Sequence, residues 1–285
     1  MGRYIEQGKY KTNNYWSGNE ANNPQTALAR ENDQKNAIYS QHLYKKRTIL
    51  IDYENYLLNT GFDQIIMNLS PFMESVTFKG SEYLYNPGDT IKYVYFPETA
   101  VISEFQILED GRTVEIAMTG KEGILGFMPL LKSYSPNNWT QVFVPGKAYR
   151  LSAQIFEREI AKNPKLQTII FDYIGEYIKQ ISQRSVCNSY HTIEQRFCTW
   201  LLMIQSRKGG NRLPLTQEQI ARSLGVHRPS VTHIAQNLRE RKIIDYIRGK
   251  IIISDPEKLK ETACDCYLEI DGNLRNISNN FKSVM

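Results

Sequence analysis

The chain has 285 residues, long enough for two domains, with 41% hydrophobic and 23% charged residues and a formal net charge of +5. No apolar run reaches the roughly eighteen residues of a membrane span, and the polar N-terminus carries no apolar run of signal-peptide length. Four cysteines are too few for a disulfide framework, so the expectation is a cytoplasmic protein with reduced thiols and no membrane contact.

Residues 1–45 are polar and asparagine-rich with little apolar periodicity, which reads as a flexible extension with short helical turns around Gln25–Ser40. Residues 46–75 look partly helical, with Tyr53, Tyr56, Leu57 and Leu58 before Gly61, and Ile65, Ile66 and Leu69 before Pro71. From about 76 to 152 the texture changes to short strands. Ser75–Phe78, Glu82–Tyr85 and Tyr93–Phe96 are β-rich and bounded by turn residues such as Asn86-Pro-Gly-Asp89. Ala100–Leu108 and Thr113–Met118 flank the hairpin turn Glu109-Asp-Gly111, and Gln141–Val144 and Ala148–Leu151 flank Pro145-Gly146 in the same way. Many short strands at close spacing imply a β-sandwich or jelly roll.

Residues 153–188 read as one long helix, since Phe156, Ile160, Leu166, Ile169, Ile170, Tyr173, Ile174, Tyr177, Ile178 and Ile181 recur at intervals of three and four. One apolar stripe would pack on the β-domain, and the excess points to a dimer seam.

The most informative stretch is Leu215–Leu238, which reads as a helix-turn-helix. Thr216 caps a first helix whose inward positions are Ile220, Ala221 and Leu224. Gly225 turns the chain through left-handed backbone angles that glycine reaches cheaply. Pro229 suits the first position of a second helix, whose Val231, Ile234 and Leu238 share one face. Small, glycine and apolar residues at these fixed offsets favour a DNA-binding motif over two ordinary core helices. Lys242–Arg248 and Ile251–Ile253 then form a hairpin with a basic tip at Gly249-Lys250, and Asp255-Pro256-Glu257 starts a further helix. A helix-turn-helix followed by a hairpin is a winged helix. Residues 189–265 hold 13 Lys+Arg against 8 Asp+Glu, so all the excess positive charge sits in this segment, as binding to a polyanion requires.

With a β-roll, a long helix and a winged helix in that order, residues 46–266 resemble the cAMP receptor protein/Fnr (Crp/Fnr) superfamily of bacterial transcription regulators. Arg228-Pro-Ser-Val-Thr232 and the closing Ala263-Cys-Asp-Cys-Tyr267 are similar to one subgroup of it. The resemblance implies an α+β fold: a double-stranded β-helix like those that bind cyclic nucleotides over 46–152, a dimerisation helix over 153–188, a winged helix-turn-helix over 189–267 and a tail over 268–285. It also implies a homodimer on an inverted-repeat operator in double-stranded DNA, with RNA polymerase as a partner if the protein activates.

The chain departs from the nucleotide-binding members. In their phosphate cassette a glutamate holds the ribose and an arginine with a serine holds the phosphate. Here the cassette is degenerate: with Gly120, Glu122, Gly123 and Gly126 in register, Phe127 stands where the glutamate belongs and Asn138-Trp-Thr140 where the arginine and serine belong. A buried phosphate would lack its compensating charge, so control by cAMP is not expected, and a nucleotide-responsive regulator with an atypical pocket is the alternative. No histidine or cysteine lies between His42 and Cys187, which weighs against haem, iron–sulfur or cupin-type metal chemistry in the β-domain. Cys264 and Cys266, one residue apart, read as ordinary thiols; no cofactor or metal is expected.

Arg228, at the start of the recognition helix, is the first candidate for reading a base, through guanine O6 and N7; Ser230, His233 and His227 follow. Thr216, Gln217, Arg222, Arg248 and Lys250 are the candidates for phosphate contact and register. Two other functional classes compete. A β-sandwich hydrolase or isomerase would need clustered acid–base groups; Glu104, Glu115 and Glu122 are scattered with no histidine near, so the chain reads as no enzyme. A winged helix that binds protein instead of an operator is the remaining alternative.

Overall fold

The computed structural model describes residues 53–59, 67–131 and 135–270. The N-terminal extension with its expected turns, Ile65 and Ile66, and the tail beyond Ile270 lie outside the described residues.

Among the described residues, seven strands build the β-domain: β1 (Glu74–Phe78), β2 (Tyr83–Tyr85), β3 (Tyr93–Pro97), β4 (Val101–Ile107), β5 (Thr113–Thr119), β6 (Trp139–Val144) and β7 (Gly146–Ser152). They form two antiparallel sheets, ordered β1-β7-β3 and β2-β6-β4-β5. The expected β4–β5 hairpin is present, paired from Ile102↔Thr119 to Ile107↔Thr113. Strands β6 and β7 are not a hairpin: β6 pairs with β4 and β2, while β7 pairs with β1 and β3. Pro145-Gly146 is therefore a corner where the chain changes sheets. Proline donates no ladder bond, and a Cβ on Gly146 would come within 2.4 Å of the Ala100 nitrogen, so the two sheets meet here backbone to backbone.

The long helix is two helices, α1 (Ala153–Lys162) and α2 (Pro164–Tyr190). Asn163 separates them in extended conformation, its side chain capping the N–H groups of Lys165 and Leu166, with Pro164 in the first turn. The apolar period continues across the break, which is why it reads as one element. Leu166, Ile169, Ile170, Tyr173, Ile174 and Tyr177 are buried, whereas Ile178 is 57% exposed.

The C-terminal part follows: α3 (Ile193–Lys208), β8 (Arg212–Leu213), α4 (Gln217–Leu224), α5 (Arg228–Glu240), β9 (Ile244–Ile247), β10 (Lys250–Ile253) and α6 (Pro256–Thr262). The wing has three strands, ordered β8-β10-β9; the two-residue β8 is too short to leave an alternating pattern. Asp255 caps α6 through the Lys258 N–H.

One continuous apolar cluster runs from Phe127 and Val144 through Tyr173 and Trp200 to Leu213 and Leu238. Buried polar groups stitch the same junction. Glu115 of β5 accepts from Trp200 Nε1 (2.9 Å) and from Ser103 (2.8 Å), and pairs with Arg184 of α2 (3.4 Å). Glu122 pairs with Arg207 of α3 at 2.8 Å, both side chains nearly inaccessible. An ion pair removed from water survives only with good geometry and further hydrogen bonds. Arg207 has the further bonds, donating to Met203 O and Gln180 Oε1.

Candidate nucleic-acid interface

Local chemistry sets the helix-turn-helix. Thr216 Oγ1 accepts from the Gln219 N–H while Gln219 Oε1 accepts from the Thr216 N–H, a reciprocal capping box that starts α4. Gly225 ends it at φ 65°, ψ 38°, in the left-handed region. The second helix begins at Arg228, one residue earlier than Pro229, with His227 as N-cap. Val231, Ile234, Ala235 and Leu238 are buried on its inner side.

His227, Arg228 and His233 are exposed and Ser230 is half-buried. No side chain caps the start of α5 and no acid lies in its first turn. Pro229 has no N–H and the Ser230 N–H donates to His227 O at 3.0 Å, so what this end offers an anion is its positive dipole rather than a row of free N–H groups. Thr232 donates to Gln217 Oε1 at 2.8 Å, locking the second helix to the first. Arg248 and Gly249 take positive φ (43° and 77°) between β9 and β10, the geometry of a tight hairpin turn. A Cβ on Gly249 would lie 3.8 Å from Thr216 Cγ2, so the wing tip sits beside the start of α4. Arg248 and Lys250, both exposed, flank that point. The structure thus brings Thr216, Gln217, Arg248 and Lys250 together next to the start of α5.

Arg222 is placed elsewhere. Its guanidinium lies 5.7 Å from the Phe105 ring centroid and its carbonyl accepts from Thr113 Oγ1. It lines a cavity of about 160 Å³ between α4 and the β2-β6-β4-β5 sheet, with Ser103, Phe105 and Gln219. In this arrangement it meets the β-domain. Gln236, one turn beyond His233 and exposed, is a polar side chain that the sequence reading passed over; the three-residue spacing was the signal. Arg239 and Arg241 are engaged internally, with Asp245 and Glu194.

The cassette glycines serve packing. A Cβ on Gly120 would come within 2.6 Å of Arg207 Cβ, and one on Gly123 within 2.3 Å of the Tyr173 hydroxyl. Gly126 has φ 83°, and a Cβ there would meet Tyr93 O at 2.5 Å. Glu122 is spent on Arg207 and on the Gly120 N–H (3.0 Å). Phe127 is 2% exposed and meets Tyr173 and Tyr177 edge-on, with centroids 5.7 and 5.2 Å away. Among the described residues, the void beneath the cassette lined by Tyr85, Glu104, Phe127 and Asn138 is about 10 Å³, near the least that one water needs. Burial holds the Glu104 carboxyl up at about 7, against a hydrogen bond from Tyr177 that lowers it.

The family profile for a Crp-like helix-turn-helix domain matches residues 195–262, and that for a cyclic nucleotide-binding domain matches residues 75–163. The chain belongs to the Crp/Fnr superfamily. It is a Crp/Fnr-type transcription regulator with a helix-turn-helix DNA-binding domain. Among its relatives, the global nitrogen regulator of Synechococcus elongatus is 22% identical over 217 residues, covering 73% of this chain and 97% of the relative. That of Nostoc sp. is 22% identical over 192 residues, covering 64% and 86%. Two solved structures match with a TM-score of 0.58. One is a putative Crp/Fnr-family regulator from Eubacterium rectale (17% identity, 73% of this chain, 99% of that one). The other is FixK2 from Bradyrhizobium japonicum (16% identity, 67% and 98%). Among the described residues no helix is long and apolar enough to cross a membrane.

One cluster in this Crp/Fnr chain was not visible in the sequence, where Cys264 and Cys266 read as ordinary thiols. Both are buried, and the fold brings Cys187 and His191 to them from the end of α2. The Cys264 thiol is pulled down to about 5, first by the hydrogen bond from Cys187, then by Thr199 and His191 against the opposing effect of burial. The same contact raises the Cys187 thiol. Sequence separation of more than seventy residues hid this grouping.

Proposed function

We propose that this regulator acts as a homodimer that recognises an inverted-repeat operator through two copies of α5, without control by cAMP. Arg228 reads a base, with Ser230, His233 and His227 beside it, and Gln236 extends the same exposed surface. Thr216, Gln217, Arg248 and Lys250 hold phosphates. Arg222 joins them only if α4 turns away from Phe105.

The observation that carries the reading is the single exposed surface formed by the start of α5, the start of α4 and the wing tip. A stripe along α2 supports the dimer. Phe171 (49% exposed), Ile178 (57%) and Val186 (46%) recur at seven and eight residues, and an added Cβ at Gly175 between them would meet nothing within 4 Å. The three positions fall on one face of α2, as a seam between two helices requires. Independence from cAMP follows from Phe127, Tyr173 and Tyr177 filling the space below the cassette. The reading places the protein in the cytoplasm as a regulator and not an enzyme, with RNA polymerase its partner if it activates.

Selection of duplexes from a random pool by the full chain tests this. A two-fold symmetric consensus, unchanged by cAMP, is the expected result. An unsymmetric or featureless pool would contradict it and favour the protein-binding winged helix.

A further inference from the structure

Four potential ligands from two distant parts of the chain converge where the end of α2 meets the segment after α6. Cys187 occupies the last turn of α2, and His191 is its C-cap residue, one helical turn on, with its N–H donating to Cys187 O. Cys264 and Cys266 follow α6. The sulfurs of Cys187 and Cys264 are 3.5 Å apart and Cys266 Sγ is 3.4 Å from His191 Nδ1. All four ligand atoms lie within 4.8 Å of one another. A tetrahedral zinc site with bonds of about 2.3 Å to sulfur and 2.0–2.1 Å to nitrogen has ligand atoms roughly 3.5–3.8 Å apart. The observed spacings require only small rotamer adjustments to reach that. A disulfide, by contrast, needs sulfurs about 2.05 Å apart.

The surroundings suit a metal–thiolate centre. Thr199 Oγ1 accepts from the Cys264 N–H and lies 3.0 Å from Cys264 Sγ, so its own proton is free to reach that sulfur. Gln183 donates to Cys266 Sγ at 3.0 Å. Donors of this kind orient and stabilise metal-bound thiolates. Three thiolates on a divalent ion leave one net negative charge, and Arg184 and Arg196 both interact electrostatically with Cys187. Each keeps a buried Nε with no hydrogen-bond partner.

We propose that Cys187, His191, Cys264 and Cys266 form a structural zinc site that ties the segment after the winged helix to the end of the dimerisation helix. Zinc displaces the thiol protons to solvent and takes His191 as neutral imidazole. Four protein ligands fill its coordination, which leaves no open position for catalysis.

The test uses the full chain, purified without chelator. Elemental analysis should find about one zinc per chain. Cobalt(II) put in its place should give the intense visible bands of a tetrahedral ion and a near-ultraviolet thiolate charge-transfer band. Cys266→Ser should weaken both, while Cys198→Ser, at a buried cysteine outside the cluster, should leave them unchanged. Should Cys266→Ser fail to fold, the wild-type cobalt spectrum alone decides. A chain that retains no zinc and binds cobalt only with a weak octahedral spectrum overturns the proposal. So does a metal-free chain whose intact mass shows a reducible Cys187–Cys264 disulfide.

Discussion

Removing the Arg207 guanidinium tests how the β-domain is fastened to the DNA-binding half. Arg207 is 1% exposed, yet it spans α3, α2 and the cassette loop through Met203 O, Gln180 Oε1 and Glu122. In Arg207→Met the stem volume is kept, but the Glu122 carboxylate stays buried with the Gly120 N–H as its remaining donor. Breaking one side of a buried pair costs about 3–5 kcal/mol, whereas replacing both partners with apolar or neutral groups is often close to neutral. Arg207→Met should therefore lose about 3–5 kcal/mol, and Arg207→Met with Glu122→Gln should recover most of it. Urea unfolding of the four proteins of this double-mutant cycle gives the coupling directly. A loss below about 1 kcal/mol in the single variant, or a double variant no better than the single, would refute the reasoning.

Other expectations are independent of that pair. Arg228→Ala should cost about 1–3 kcal/mol on the selected site and relax base preference at one position, read by repeating the selection; an unchanged consensus removes Arg228 from base reading. Lys250→Ala should weaken binding to all duplexes about equally and reduce the salt slope by about one ion, which anisotropy titrations across salt concentrations would show; a loss confined to the cognate sequence would contradict it. The Glu104 carboxyl is held at about 7 in the folded chain, first by burial. Because this is above its ordinary value of 4.5, the folded state keeps a proton that the unfolded chain releases. Stability should accordingly fall as pH rises from about 4.5 to 7, by an amount on the order of 2–3 kcal/mol, and Glu104→Gln should flatten that slope in unfolding measurements. An unchanged slope would mean Glu104 titrates normally.

Much of the fold was legible because glycine, proline and capping residues act locally. Gly225, Thr216 and Pro229 place α4 and α5 within a residue, and Glu109-Asp-Gly111 marks the β4–β5 hairpin whatever lies around it. Errors arose where one local signal fits two global outcomes. Pro145-Gly146 suits a hairpin and a sheet-changing corner equally, and the crossing backbone at Ala100 decides between them. Asn163-Pro164 is a cap inside an unbroken apolar period. The site was partly legible for the same reason. Exposed α5 residues follow from helical spacing, but Arg222 facing Phe105, Arg207 beneath the cassette and the meeting of Cys187 and His191 with Cys264 and Cys266 depend on long-range packing.

The central claim is that two chains grip one operator through symmetrically disposed α5 helices. The most direct test is native mass spectrometry of the full chain on the selected duplex, with the half-site spacing varied. Two chains per duplex are expected when half-site centres lie about one helical turn apart (roughly 34–36 Å), and two-chain binding should collapse when roughly half a turn of DNA is inserted between them. One chain per duplex, held equally well at every spacing, would contradict the account.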